Sequence, residues 1–251
     1  MEVSFTFGAE IEGALQVLWE DGERVFCRGW NLQPDGFRTT MLAVLPAAEH
    51  PPPSSLDRLA HEYGLKDELD ASWAVRPVQL LRERGRTMLV LEDPGGELLQ
   101  GFLGAPMEMG RFLCLTISIA AALSKAHQRG LVHKDLKPTH ILVNPESGEV
   151  WLTGFGIASR LPREMQSPEP PEFIAGTLAY MAPEQTGRMN RSIDARSDLY
   201  ALGVTFYQMP LGALPFTASD PLEWVHCHIA RRPAPPSERR EGVRGRSRAS
   251  S

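Results

Sequence analysis

The sequence has little cysteine and no long uninterrupted apolar run. Its three cysteines, Cys27, Cys114 and Cys227, fit neither a disulfide scaffold nor a zinc-site pattern, which favours a reducing compartment. The longest near-apolar stretch, residues 113–123, is too short to span a bilayer. The N-terminus lacks the basic and apolar segments of a secretory signal. We therefore expect a cytoplasmic protein without a membrane partner.

Positive charge is also scarce outside the end of the chain. The 26 Lys and Arg residues face 31 Asp and Glu, which gives a net charge of −5. Seven of the arginines lie in residues 231–251, and such a basic segment could contact an acidic surface. Because it offers no apolar face, we predict a disordered basic tail over residues 236–251. The acidic remainder argues against nucleic acid as a partner.

Two regions of different character precede the tail. Residues 1–94 are rich in strand signals: a hairpin around Asp21 and Gly22, a third strand in FRTTMLAVLP and two more within residues 75–93. One helix follows the third strand, and Ser54 or Ser55 could cap it. Residues 95–235 open with a strongly apolar helix, GRFLCLTISIAAALSKAHQRG. The pattern predicts an α+β protein with two lobes joined at residues 92–96, although a generic α+β domain would look similar.

The densest group of polar residues lies in LVHKDLKPTHILV, residues 131–143, between buried apolar positions. An apolar hairpin, a GFG triplet at 154–156, the segment GTLAYMAPEQ and the segment RSDLYALG follow in that order. This set, over about residues 12–235, resembles Ser/Thr protein kinases. The segments GFGIASRLPRE and GTLAYMAPEQTGRMNRSID are more narrowly similar to those of one bacterial group. In that group a kinase-like domain precedes an ATPase module and a sensor histidine kinase in one chain.

The resemblance implies a two-lobed α+β protein-kinase-like fold. Residues 1–94 would form a β-rich small lobe with one helix, and residues 95–235 a mostly helical large lobe that misses its last helices. The implied reaction is transfer of a phosphoryl group from ATP to a protein hydroxyl, with a protein substrate or signalling partner. The motif residue Glu184 is expected to lack the arginine partner that those last helices would bring.

The resemblance also assigns the catalytic residues. Asp135 is the candidate base, because a carboxylate there can accept a hydrogen bond from a substrate hydroxyl. Lys137 would offset the charge of the transferring phosphoryl group. His133 would be structural, and Asp198 matches the buried aspartate at the start of the long helix behind the active site.

Both positions that hold magnesium in the family are changed here. Gly154 replaces the aspartate of the metal-binding triplet, and glycine has no ligand atom. His140 replaces the asparagine five residues after the catalytic aspartate, and imidazole is a poor magnesium ligand. We therefore assign no metal ligand, and magnesium is doubtful as a cofactor.

The small lobe also lacks residues that the family pattern has, in the phosphate-covering loop and on strand three. Gly22 and Gly29 lie too far apart to form a phosphate-covering loop. Pro46 stands where strand three should carry a lysine, so Glu62, the partner of that lysine, is left without it. A cation from Arg24, Arg28 or Arg38 on neighbouring strands is an alternative, and solvent exposure of all three is another.

The expected adenine site is weakened as well. Leu91 resembles the residue that guards the pocket, and Glu92 would offer its carbonyl to the base. In an ungapped alignment the donor position is Pro94, which has no N–H. ATP binding is therefore expected to be weakened.

These features favour a protein kinase-like domain that is catalytically impaired and serves as a regulatory or binding pseudokinase module in signalling. One alternative is an active Ser/Thr kinase with atypical metal and phosphate contacts, favoured by Asp135, Lys137 and residues 176–184. The other is a truncated, non-functional remnant.

Overall fold

The structure, a computed structural model, describes residues 2–7, 11–32, 38–83, 85–160, 176–188 and 191–239 of the chain. Its strands are β1 Glu2–Phe7, β2 Ile11–Glu20, β3 Arg24–Leu32, β4 Arg38–Pro46, β5 Pro77–Glu83, β6 Arg86–Glu92, β7 Glu97–Leu98, β8 Leu131–Val132, β9 Ile141–Val143, β10 Val150–Leu152 and β11 Ser159–Arg160. Its helices are α1 Pro53–Gly64, α2 Met109–Gln128, α3 Ala195–Leu211, α4 Pro221–Ala230 and α5 Pro236–Arg239.

The small lobe is an antiparallel sheet in the order β1-β2-β3-β4-β6-β5. The five predicted strands are confirmed, and β1 adds a sixth that the sequence did not reveal. In β3 and β4, Arg24 lies opposite Pro46, and Phe26 lies opposite Val44. Because directly opposed side chains of a sheet share a face, these four residues point to the same side.

Helix α1 packs against this side of the sheet. Its N-cap is Pro52, without a side-chain hydrogen bond to the first turn, so the prediction of a Ser54 or Ser55 cap is wrong. Ser55 is buried, and its hydroxyl donates instead to Glu23 at the end of the β2–β3 hairpin. A proline at the helix start needs no cap for its missing N–H, which leaves the serine for a tertiary contact.

The large lobe is built around α2 and α3. The buried face of α2 packs in a core that includes Leu131, Ile141 and Phe155. Gly130, with a φ of +76°, follows the helix, as the sequence predicted. Strands β9 and β10 form the predicted apolar hairpin, and β7 pairs with β9. These short strands hold the loop between β8 and β9 at the boundary with the small lobe.

Helix α2 is longer than the apolar stretch that the sequence suggested. Its 20 residues are long and apolar enough to cross a membrane by length and composition alone, and 28% of its most apolar window is buried inside the protein. Helices in protein cores satisfy the same criterion. Leu115, Ile119 and Leu123 of this helix are buried in the large-lobe core.

Part of the predicted tail is ordered. Residues 236–239 form the single turn α5, and the Arg239 guanidinium donates to the Leu214 carbonyl and lies over the Tyr207 ring. Packing of this side chain on an aromatic ring explains why the turn forms despite its polar composition. Residues 240–251 lie outside the described part of the chain.

Candidate active site

Asp198, at the start of α3, fixes the loop that carries the candidate catalytic residues. Its carboxylate accepts the backbone N–H groups of His133 and Lys134, each at 2.8 Å, and the His127 ring lies at the same distance. Lys134 has a φ of +67°, a left-handed conformation that costs energy in a residue with a side chain. The two backbone hydrogen bonds to Asp198 hold this turn in place.

Asp135 and Lys137 meet at the front of this loop. The Lys137 Nζ lies 3.4 Å from Asp135 Oδ2 and donates to the Thr177 hydroxyl at 2.6 Å. The Thr177 N–H in turn donates to Asp135 Oδ1 at 2.8 Å. Burial lowers the pKa of Lys137, and the Asp135 charge opposes that shift. The two predicted catalytic residues therefore lie together, although their catalytic role stays a prediction.

His133 belongs to this loop, and its ring lies behind the loop backbone. Its ring Nε2 is 2.9 Å from the Thr153 carbonyl, and the ring packs against Phe155 with 4.6 Å between centroids. These contacts tie the loop to the segment around Gly154, as expected for a structural histidine.

His140 is fully enclosed and neutral. Its Nδ1 donates to the Asp135 carbonyl at 2.7 Å, so Nε2 is the acceptor for the Arg24 guanidinium at 3.3 Å. Burial, followed by the charges of Lys137 and Arg24, holds the pKa of His140 well below its usual range. Both ring nitrogens are therefore engaged in hydrogen bonds with protein groups.

The side chain of Glu62, on α1, lies close to His140 and Gly154. Its side chain is 1% exposed, and Oε1 accepts the Gly154 N–H at 3.0 Å. Burial raises the pKa of Glu62, while the Arg24 charge acts in the opposite direction. The glutamate that sequence reasoning left unpartnered thus has a backbone partner and a nearby cation.

Of the two candidate arginines whose side chains the structure describes, Arg24 enters the cleft between the lobes. Its side chain is 11% exposed, and its guanidinium lies 3.7 Å from Asp135 Oδ2 and 3.8 Å from Asp21 Oδ2. Since Arg24 is the cross-strand neighbour of Pro46, it projects from the strand beside the expected lysine position.

Arg28 contacts the segment that joins the lobes. Its Nε lies 2.8 Å from Asp93 Oδ2, and Nη2 donates to the Gly96 carbonyl at 2.8 Å. Arg38 begins β4, and its side chain lies outside the described part of the structure. Register therefore separates the candidates: Arg24 lies in the cleft and Arg28 at the connection.

Apolar side chains fill the space between the lobes near the connection. Leu91 is buried in one cluster with Phe26 and Val44 of the sheet and Leu142 of the large lobe. Glu92 ends β6 half-buried, with its N–H bound to the Arg76 carbonyl. Sequence reasoning missed Phe26, although strand alternation places it on the same face as Arg24.

Behind Arg24 the remaining cavity is about 20 Å³ and is lined by Glu62, Thr139, His140 and Gly154. Within the described residues, Arg24 Nε and the Thr139 hydroxyl are buried without a hydrogen-bond partner. A space of this size suits one water molecule and is far too small for a nucleotide.

A wider cavity of about 530 Å³ opens in front of the loop and is bordered by Asp135, Lys137, Thr177 and Arg58. Trp19 stands between the two cavities, with its ring 5.1 Å from Lys137 Nζ and 6.5 Å from the His140 ring. In the part of the chain that the structure covers, no cluster of three or more His, Cys, Asp or Glu side chains is placed to hold a metal.

A β-rich small lobe, a helical large lobe and a polar loop at their boundary define the protein-kinase fold. The protein kinase domain model matches residues 47–238, and the chain therefore belongs to this family. The match begins just after β4, so it leaves out the strands that carry Trp19, Arg24 and Pro46.

Curated bacterial kinases are similar to more than half of the chain. Serine/threonine-protein kinase pkn3 of Myxococcus xanthus is 36% identical over 169 residues, 64% of this chain and 30% of the relative. Pkn1 of the same organism is 38% identical over 155 residues, 61% and 22% of the two proteins. PknB of Mycobacterium tuberculosis is 35% identical over 157 residues, 62% and 25%. The similarity thus spans less than a third of these relatives.

Proposed function

We propose that this bacterial kinase-like domain is a pseudokinase: a regulatory or binding module in signalling whose transfer of phosphate from ATP to a protein Ser or Thr is severely impaired. The observation that carries the proposal is the filling of the cleft. The cation of Arg24, the ring of His140 and the side chain of Phe26 fill the inner part of the region between the lobes, where about 20 Å³ remains, and the wider cavity lies in front of the loop.

The residues present do not fit magnesium and ATP. Gly154 offers no side-chain oxygen, and both nitrogens of His140 already hydrogen-bond to Asp135 and Arg24. Magnesium requires oxygen donors in a tight octahedron, whereas here a guanidinium lies 3.7 Å from the Asp135 carboxylate. We therefore infer weakened ATP binding without magnesium, and we derive no reaction step through either.

A phosphotransfer assay tests this proposal directly. The purified chain is incubated with radiolabelled ATP, a generic Ser/Thr substrate and each of several divalent ions, beside Asp135→Asn. We expect no transfer above the Asp135→Asn background. Transfer that Asp135→Asn abolishes would refute the proposal.

One observation favours the alternative of an active Ser/Thr kinase: Asp135 contacts both Lys137 and Thr177. A thermal melt with ATP, in magnesium and then in chelator, separates the candidates. Ligand at about a hundred times its dissociation constant adds about 2.7 kcal/mol. We expect no magnesium-dependent shift, whereas such a shift would favour an atypical active kinase. Absence of a cooperative transition would favour the non-functional remnant.

The partner and the compartment are parts of the same proposal. We infer a protein partner by analogy with the relatives, which are serine/threonine-protein kinases. The resemblance of the segment after Gly154 extends this to ATPase and histidine kinase modules of a longer chain. The free thiols of Cys27, Cys114 and Cys227 support a cytoplasmic location. Co-purification of the chain with such modules tests the partner, and fractionation tests the compartment.

A further inference from the structure

The end of the β2–β3 hairpin carries three charged side chains that contact both lobes. We call Asp21, Glu23 and Arg24 the clasp. Asp21 shapes it, because its Oδ1 accepts the backbone N–H groups of Glu23 at 3.0 Å and Arg24 at 2.8 Å. This side-chain turn fixes the direction in which the other two residues leave the hairpin.

Glu23 connects the clasp to helix α1. Its carboxylate accepts the Ser55 hydroxyl at 3.1 Å, and both of its oxygens lie 2.9 Å from Arg58 Nη1. The helix that carries Glu62 is thereby attached to the hairpin without a lysine on β4.

Arg24 connects the clasp to the large lobe. Its Nη2 donates to His140 at 3.3 Å and pairs with Asp135 at 3.7 Å, and these two residues belong to the loop between β8 and β9. Asp21 adds a longer ion pair to Lys137 at 3.9 Å. An arginine can serve two acceptors at once because its donors are held in a rigid fork.

Two cations of the chain itself lie among the carboxylates at the clasp. The carboxylates of Asp21, Asp135 and Glu62 face the guanidinium of Arg24 and the ammonium of Lys137. A buried carboxylate needs such compensation, and removing a cation from a buried group of this kind is strongly destabilising. A divalent ion would meet Arg24 and Lys137 at the place where it should bind carboxylates.

We propose that the clasp, through Arg24, holds the two lobes closed in place of nucleotide and metal. The inference rests on the proposed function, in which this cleft does not use magnesium and ATP. Domains of two lobes commonly close around a ligand; here the bridging cation is part of the chain. Arg24 is a positioning residue, and the domain presents one closed surface to its partner whether or not ATP is present.

The distance between the lobes provides the test. Cys114 is exposed on α2, whereas Cys27 and Cys227 are buried, and Ala48→Cys adds an exposed thiol to the small lobe, in the segment between β4 and α1. Spin labels at these two positions report lobe closure by pulsed electron resonance. We expect one narrow distance distribution that ATP, magnesium and chelator leave unchanged.

Arg24→Ala should broaden this distribution toward longer distances. Guanidinium at millimolar concentration, far below denaturing levels, should restore the narrow distribution by occupying the vacated site. Arg24→Lys should restore it only in part, because an ammonium lacks the fork. The matched control is Arg82→Ala, which removes an exposed arginine from β5 of the same lobe and should change nothing.

Several results would overturn the inference. They are an unchanged distribution in Arg24→Ala, equal broadening in Arg82→Ala, and a wild-type chain that narrows only with magnesium and ATP. If Arg24→Ala does not fold, Arg24→Gln replaces it, because the amide keeps a donor near His140 without the charge. The comparison of Arg24→Ala with the wild type is made without nucleotide, so its outcome is independent of phosphotransfer: transfer by the wild type would refute the proposed function, and an unchanged distribution in Arg24→Ala would refute this inference.

Discussion

The ring of His140 occupies the space that a side chain at position 154 would need. A Cβ built on Gly154 would lie 2.6 Å from His140 Cδ2, and Gly154 has a φ of +81°. Contacts shorter than 3.0 Å require the neighbour to move, and His140 is held by hydrogen bonds at both ring nitrogens. The two departures from the kinase motif are therefore coupled: glycine at 154 accommodates histidine at 140.

Restoring the metal-binding residue alone should damage the protein. We expect Gly154→Asp to lower the free energy of unfolding by about 2–4 kcal/mol, from backbone strain and overpacking together. The double variant Gly154→Asp/His140→Asn should lose less, because the smaller amide vacates the space. Urea unfolding measures both. Gly148→Asp is the control for backbone strain alone, since Gly148 has a φ of +72° and nothing within 4 Å of a built Cβ.

The neutral state of His140 predicts a pH dependence. Its pKa is held well below the usual histidine value of about 6.5, so below about pH 6.5 the unfolded chain takes up a proton that the folded protein does not. The stability of the wild type should therefore fall as the solution is acidified. Relative to His140→Asn, we expect a loss of about 1 kcal/mol between about pH 7 and pH 5.5.

The comparison with His140→Asn isolates this histidine. Glu62, whose pKa is raised by burial, contributes with the opposite sign, since its stabilising effect is lost as the pH rises through its folded pKa. That contribution is common to both proteins and largely cancels in the difference. Parallel curves of stability against pH for the two proteins would contradict the prediction.

The elements with strong periodicity were predictable from the sequence. Alternation gave β2 to β6, and the apolar run with its glycine gave α2. The resemblance to protein kinases assigned Asp135, Lys137 and Glu62 to one site. Strand β1 was not predicted because EVSFTF is short and lacks a turn signal. The prediction of a Ser54 or Ser55 cap was wrong because a tertiary acceptor, Glu23, competes for the Ser55 hydroxyl.

The identity of the cation in the cleft could not be read from the sequence. Arg24 and Arg28 lie on one strand four residues apart and therefore share a face. Which of them reaches Asp135 depends on the pairing of Arg24 with Pro46 and on the position of Asp93 beside Arg28. Both are tertiary relations between distant segments, and no local pattern encodes them.

Asp198 should be among the most sensitive positions outside the cleft. Asp198→Asn keeps the volume but replaces one acceptor oxygen with a donor that faces other N–H groups. We expect a loss of about 2–4 kcal/mol in the free energy of unfolding, because hydrogen bonds to a buried charged acceptor are lost. Urea unfolding checks this beside Asp67→Asn, an exposed carboxylate that should change stability little. Equal stability of the two variants would contradict the assigned role of Asp198.

Glu184 has a partner that the sequence did not predict. The Ser197 hydroxyl, and not the arginine of the family pattern, donates to its Oε1 at 2.6 Å, and this contact ties the segment after Thr177 to α3. We expect Ser197→Ala to cost about 1–2 kcal/mol, because it leaves a half-buried carboxylate without this donor. Ser54→Ala, at an exposed position, is the control. In a double-mutant cycle with Glu184→Gln the two losses should be less than additive, and strict additivity would show that the hydrogen bond does not stabilise the fold.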